Sequence, residues 1–167
     1  MKTRLLSTAL LVIAIGAVGF LSAHEAKTGG AKKPPAHVMF TPGDIRWVDA
    51  PPSMPPGAKV AVLEGDPSKP GYFAMRIKAP GGYKFMPHWH PNVERFTVLS
   101  GTFHLGLGDT FTETGAQAMT AGSYATLQPK VHHYGWTEGE TELHLTTLGP
   151  WKRVYVNPAD DPSKSAK

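Results

Sequence analysis

Gly82-Tyr-Lys-Phe-Met-Pro-His88-Trp-His90-Pro-Asn-Val-Glu94-Arg-Phe-Thr-Val-Leu-Ser-Gly101 sets two histidines one residue apart, places a carboxylate four residues further on, and closes both ends with glycine. Side chains alternate faces along a strand, so His88 and His90 point the same way. The Pro91-Asn92 turn lets a second strand begin near Glu94 and bring its carboxylate back toward the imidazoles. Two neutral nitrogens and one anionic oxygen converging on a point suit a divalent transition metal such as Fe, Mn, Ni or Zn. A His-x-His pair alone is more often surface polarity; the carboxylate and the glycines at fixed offsets are what raise it above chance.

At every position this stretch resembles the first motif of the cupin superfamily, G-x5-H-x-H-x3-E-x6-G, through Gly82, His88, His90, Glu94 and Gly101. The second cupin motif, G-x5-P-x-G-x2-H-x3-N, is only partly matched. Gly122 and His133 have its separation, but Pro129 falls one place late, Lys130 stands where the glycine belongs, and Thr137 replaces the asparagine. The two motifs and their spacer run from Gly82 to Thr137. The resemblance implies an all-β jelly-roll β-barrel (a double-stranded β-helix) and a metal shell of His88, His90, Glu94 and His133. Three imidazoles and one carboxylate leave exchangeable positions, which separates a reactive centre from a purely structural one. His132 is the rival for the last ligand because the neighbouring turn is altered. Adjacent strand residues face opposite ways, so only one of the pair reaches the metal, and the Gly122 offset favours His133.

At 167 residues the chain is one domain's worth, enough for a sizeable core. Residues 1–23 have the form of a secretory signal peptide: Lys2 and Arg4 precede an apolar run from Leu5 to Phe20, and Ser22-Ala23 offers small residues for cleavage. Leu21 is a weaker −3 residue than alanine. A retained anchor is the alternative, since the uncharged run from Leu5 to Ala23 is near the lower length limit for crossing a bilayer. Cleavage implies an exported protein, periplasmic or secreted, with no membrane association afterwards. Residues 24–41 read as a flexible N-terminal segment, 42–156 as the barrel domain and 157–167 as a polar C-terminal tail. The absence of cysteine excludes disulfides, thiolate ligands and thiol nucleophiles. The formal charge of +4 falls to about +2 once Lys2 and Arg4 leave, with the lysines scattered, which gives no electrostatic footprint for nucleic acid.

Between the ends only strand and turn signals appear. Val60–Leu63, Tyr72–Lys78, Arg95–Leu99, Thr102–Leu107, Tyr124–Leu127, Glu142–Leu148 and Lys152–Val156 are short, rich in β-branched and aromatic residues, and mostly bounded by Gly, Pro or Asp. Many short strands in one small domain imply a sandwich or barrel. Asp49–Pro52 and Met54–Gly57 form a proline-stiffened arm that packs on a neighbour or covers an open sheet edge, and Gly108–Gln117 is an insertion-like loop. Open edges in such barrels commonly pair, which points to a homodimer.

Phe85, Met86, Phe96 and Trp136 are candidate pocket walls, and Trp89 is expected to face away from the ligands. His104 and His144 lie among apolar strand residues, where a hydrogen-bonded core histidine is the commoner outcome. His144 faces inward only if Leu143 and Leu145 pack outside. No phosphate loop opens a helix, and no serine sits in a Gly-x-Ser-x-Gly elbow. The leading expectation is a metal-dependent enzyme acting on a small molecule, of the dioxygenase, decarboxylase or isomerase type that the resemblance implies. The alternative is a non-catalytic exported binding or sensor protein that holds a small ligand at the same centre, and a third is a metal kept for stability alone.

Overall fold

The computed structural model describes residues 36–164. The expected signal peptide and most of the N-terminal segment lie outside the described residues. Nine strands follow in order: β1 (Val48–Asp49), β2 (Lys59–Glu64), β3 (Gly71–Ala79), β4 (Lys84–Trp89), β5 (Glu94–Leu107), β6 (Gln117–Thr120), β7 (Tyr124–Leu127), β8 (His133–Gly149) and β9 (Val154–Tyr155). Every pairing is antiparallel. The fold is all-β, a jelly roll.

Two long strands organise it. The C-terminal half of β8 pairs with β3 on one side and with the start of β5 on the other, and β7 lies beyond β5. With β2 and β1 these form one layer. The N-terminal half of β8 pairs with β4 and with the end of β5, and β6 and β9 complete a second layer. Thus β5 and β8 each pass from one layer to the other. The crossing needs a sharp change of direction, and β5 makes it at register shifts around Ser100. Gly101 sits there at φ +75°, and an added Cβ would lie 2.6 Å from Thr141 Oγ1, so no other residue fits the corner. The glycine that closes the sequence motif is a corner, not a terminus. Arg95–Leu99 and Thr102–Leu107, expected as separate strands, are therefore one.

Strand alternation sends Phe73, Met75 and Ile77 of β3, Phe96 and Val98 of β5, and Leu143 and Leu145 of β8 into the space between the layers. Phe85 and Phe103 meet them from the second layer, with Phe103 edge-on to Phe85 at 5.5 Å and to Phe96 at 5.4 Å. Edge-on rings at this separation add to area burial. The second layer closes tightly because Gly135 has no side chain: a Cβ there would run into the Phe103 ring and the His104 carbonyl. The expected strand Glu142–Leu148 starts earlier, at His133, because the polar and glycine-containing stretch through Gly139 is held by partners on both sides.

The proline arm packs on its own barrel. Met54 is buried in the core, Tyr83 Oη donates to Pro55 O at 2.6 Å, and Tyr155 Oη donates to Ser53 O at 2.8 Å. At the other end, the described part of the polar tail folds into two 3₁₀ turns, Pro158–Asp160 and Pro162–Lys164. Among the described residues no helix is long and apolar enough to cross a membrane.

Candidate metal centre

Four residues, from three strands and one loop, meet at one end of the space between the layers. His88 lies near the end of β4 and is the register partner of His133, the first residue of β8. His90 follows β4 by one residue, and Glu94 opens β5. All four are buried. One nitrogen from each of His88, His90 and His133 lies within 4.8 Å of the others. Glu94 faces two of them, with Oε1 3.3 Å from His90 Nε2 and Oε2 3.6 Å from His133 Nε2.

Backbone carbonyls orient the rings. Nδ1 of His88 donates to Met86 O at 2.7 Å, Nδ1 of His90 to Lys152 O at 2.8 Å, and Nδ1 of His133 to Val131 O at 3.0 Å. A carbonyl can only accept, so each Nδ1 carries a proton, and in the neutral ring it is Nε2 that presents the lone pair. Such a bond from the far nitrogen is how metal-ligating imidazoles are usually held. His90 Nε2 is buried with no hydrogen-bond partner, an unmet valence that an ion would satisfy.

The electrostatics agree. Burial pushes the His88 imidazole well below its ordinary range, and the charge of Arg153 and the other two imidazoles push it further. Burial also lowers His90, with Glu94 pulling the other way. For Glu94, burial alone would raise the carboxyl; His90, the contact from His133 and the Arg153 charge outweigh it and hold it at about 2. At neutral pH the centre offers neutral His88 and His90 and an ionised carboxylate, with no proton for an ion to displace from them. These three buried histidines could bind a metal, and a donor set of imidazole and carboxylate suits a divalent first-row ion.

At the altered second motif the backbone forms a tight turn with a left-handed residue where the motif has glycine. Gln128–Val131 is a turn closed by Val131 N donating to Gln128 O at 3.1 Å, with Pro129 in its second place. Lys130, in the third, has φ +65°, the left-handed conformation that glycine takes easily and that lysine adopts at a cost. Lys130 N donates to His90 O at 2.9 Å, tying this turn to the loop that carries the second histidine. Thr137 fills the asparagine's place. It is buried, donates to Pro80 O at 2.5 Å and accepts from Tyr83 N at 3.0 Å, joining β8 to the turn before β4.

His132 points away from the centre: its Nδ1 is 2.5 Å from Asp109 Oδ1 in the 108–116 loop. His104 lies outside too, stacked on Trp136 at 4.5 Å and 3°, with Nε2 3.1 Å from Glu138 Oε2. Leu143 and Leu145 pack inside, so His144 is on the outer face, register partner of Arg76. Burial and then the Arg76 charge lower its pKa. The walls of the cavity beside the imidazoles are not all those expected. Phe85 and Phe96 line it, with Phe103, Tyr134, Leu143, Leu145 and Arg153, whereas Met86 and Trp136 do not.

Arg153 was not anticipated, although its strand was. Alternation along Lys152–Val156 puts Arg153 and Tyr155 on one face, and pairing of Tyr155 with His88 turns that face toward the ligands. Nor does local sequence single out Trp151, whose ring stacks on His90 at 5.9 Å and 10°.

Comparison with known proteins agrees with this architecture. No curated protein matches the sequence. Among solved structures, the polyketide cyclase RemF of Streptomyces resistomycificus superposes with a TM-score of 0.60 at 15% identity, over 75% of this chain and 89% of its own. A putative acetylacetone dioxygenase from Methylibium petroleiphilum PM1 gives 0.57 at 18% identity, over 76% and 86%. An RmlC-like cupin from Shewanella frigidimarina NCIMB 400 gives 0.53 at 21%, over 68% and 91%. At these identities the likeness is one of fold. The sequence itself matches the model of the ChrR cupin-like domain over residues 35–152, most of the chain, and the protein is therefore a cupin of the ChrR cupin-like family.

Proposed function

We propose that this protein is an exported, metal-dependent enzyme acting on a small molecule. The observation that carries the reading is the set of three imidazoles, each with Nδ1 bonded to a carbonyl and Nε2 turned to a common point, beside an ionised buried carboxylate. His88, His90, His133 and Glu94 would hold a divalent ion, Fe, Mn, Ni or Zn. When bound, such an ion would supply Lewis-acid chemistry, the polarisation of a substrate oxygen or of water. The protein contributes the rest. The carbonyls of Met86, Lys152 and Val131 fix ring direction, and Phe85, Phe96 and Phe103 keep the inner wall apolar and exclude bulk water. The cavity of about 30 Å³ has room for roughly two water-sized groups, so a small ligand or the reacting end of a larger one fits. Relatives in fold include proteins described as a polyketide cyclase and a putative acetylacetone dioxygenase, so the fold is one that can carry an enzyme site. The apolar N-terminal run behind Lys2 and Arg4 supports export to the periplasm or medium.

The test is metal analysis of protein purified from its native compartment, followed by oxygen-uptake and small-acid turnover screens. A stoichiometric transition metal with turnover in either screen is expected. Metal with ligand binding but no turnover would make the protein a receptor, and absence of metal would end both readings.

A further inference from the structure

One cation in the cavity has no counterpart. Arg153 Nε and Nη1 are buried without a hydrogen-bond partner, and no carboxylate among the described residues forms an ion pair with its guanidinium. The group is not loose. Its Cζ lies 5.5 Å from the centre of the Phe85 ring and 5.4 Å from that of Trp151, held by cation–π contact on aromatic walls. Trp151 is itself stacked on His90, and its Nε1 is a further buried donor without an acceptor. The side chain lines the same cavity as His88, Glu94 and His133, and its charge is felt at three of the ligand residues.

Buried donors are normally paired, and leaving them without an acceptor is costly. The two orphaned nitrogens that Arg153 brings to the cavity are both donors, so what completes them is an acceptor. Charge points the same way. A divalent ion with one carboxylate ligand keeps a single positive charge, and the guanidinium adds a second. A neutral ligand leaves both uncompensated. The arginine does not act as a ligand to a cation, which it repels. Its planar donors match carboxylate geometry.

We infer that Arg153 anchors an anion subsite beside the metal position, and that the molecule this site takes is a small carboxylate. The acid group lies between the ligand nitrogens and Arg153, accepting from the guanidinium with one oxygen free for the ion. This rests on the metal-enzyme reading above and narrows it to an acid substrate; the limited cavity volume suits a carboxylate headgroup, with any longer chain directed outward.

The test uses the whole protein loaded with cobalt(II), whose visible spectrum reports exchange at the ion, titrated with acetate and with its neutral analogue acetamide. Charge-assisted hydrogen bonds of this kind predict at least a tenfold loss of acetate affinity in Arg153→Met. Arg153→Lys falls between the two, because it keeps charge and loses the planar donors. Acetamide binding is the same in all three. Cobalt affinity in Arg153→Met is unchanged or tighter, since a repelling cation has gone. An acetate loss below tenfold in a variant that still takes up cobalt overturns the inference and leaves the metal reading standing. Should Arg153→Met not fold, the metal-free wild type decides: acetate should shift the NMR resonance of the Arg153 Nε–H, and no shift overturns the subsite. Failure to take up cobalt at all refutes the metal reading instead.

Discussion

At the scale of single residues, the ligand set makes separable predictions. His88→Ala, His90→Ala and Glu94→Ala each remove one donor from a centre whose walls are supported by other side chains. Each variant should lose most of its bound metal while the β-rich circular dichroism persists, because the Phe73–Met75–Ile77 core is untouched. Full occupancy in any two of them, measured by elemental analysis, refutes the shell. His133→Ala should weaken Mn or Zn binding by at least about an order of magnitude. His132→Ala should change it little, since that ring is engaged by Asp109 on the outside. Weaker binding in the His132 variant alone would show that the solution register differs by one residue. Much of this was legible beforehand. His88, His90 and Glu94 follow from spacing within a hairpin, and a short-range geometry can be read from a short stretch. Arg153 is 59 residues beyond Glu94 in the chain, and only the pairing of β9 with β4 brings it in.

At the scale of elements, the turns explain how an imperfect motif still delivers its histidine. Lys130 occupies a left-handed position at a cost of about 1–2 kcal/mol relative to an ordinary conformation. Replacing it with glycine removes that strain but loosens the unfolded chain by about 0.5–1 kcal/mol. Lys130→Gly should therefore raise stability by up to about 1 kcal/mol in urea melts and leave metal affinity unaltered, because the backbone bond to His90 O remains. A clear loss of stability would mean that the lysine side chain contributes contacts of its own. The proline arm gives a pH-dependent test. Burial raises the Tyr83 phenol to about 12, with Arg153 opposing. A group whose folded pKa lies above its unfolded value of about 10 contributes stability fully below pH 10 and loses it as pH climbs toward 12. Tyr83→Phe should be less stable than wild type at pH 8, by about 1 kcal/mol for the hydrogen bond to Pro55 O. That deficit should shrink between pH 10 and 12. A deficit independent of pH across this window would place the phenol in water.

At the scale of the whole molecule, the open edges and outer face bear on assembly. β1 is two residues long at the end of the first layer and exposes Val48. On the outer face of that layer the cross-strand pair Tyr72 and Leu148 is 52% and 53% exposed, a large apolar pair turned to solvent. Edges and faces of this kind favour pairing with a second copy, and the homodimer we propose should appear in light scattering as twice the mass of one chain. A clean monomer removes the dimer and leaves the barrel, whose core is internal to one chain.

What the sequence determined by itself was local. Alternation and turn residues were enough for an all-β chain, and the glycine–histidine–carboxylate spacing was enough for a candidate metal centre, since both depend on residues within a few positions of each other. The continuity of β5 through Gly101 and of β8 back to His133 depended on partners far along the chain, so composition alone broke them too early. So did the inward side of each strand: His144 and His104 had the same apolar neighbours as true core residues, and only the packing of Leu143 and Leu145 between the layers turned His144 outward. The half-buried guanidinium of Arg153 is the plainest case. A strand of alternating residues states which side chains share a face, but the tertiary structure alone decides what that face looks at, because burial and electrostatic environment are properties of the neighbours that folding supplies.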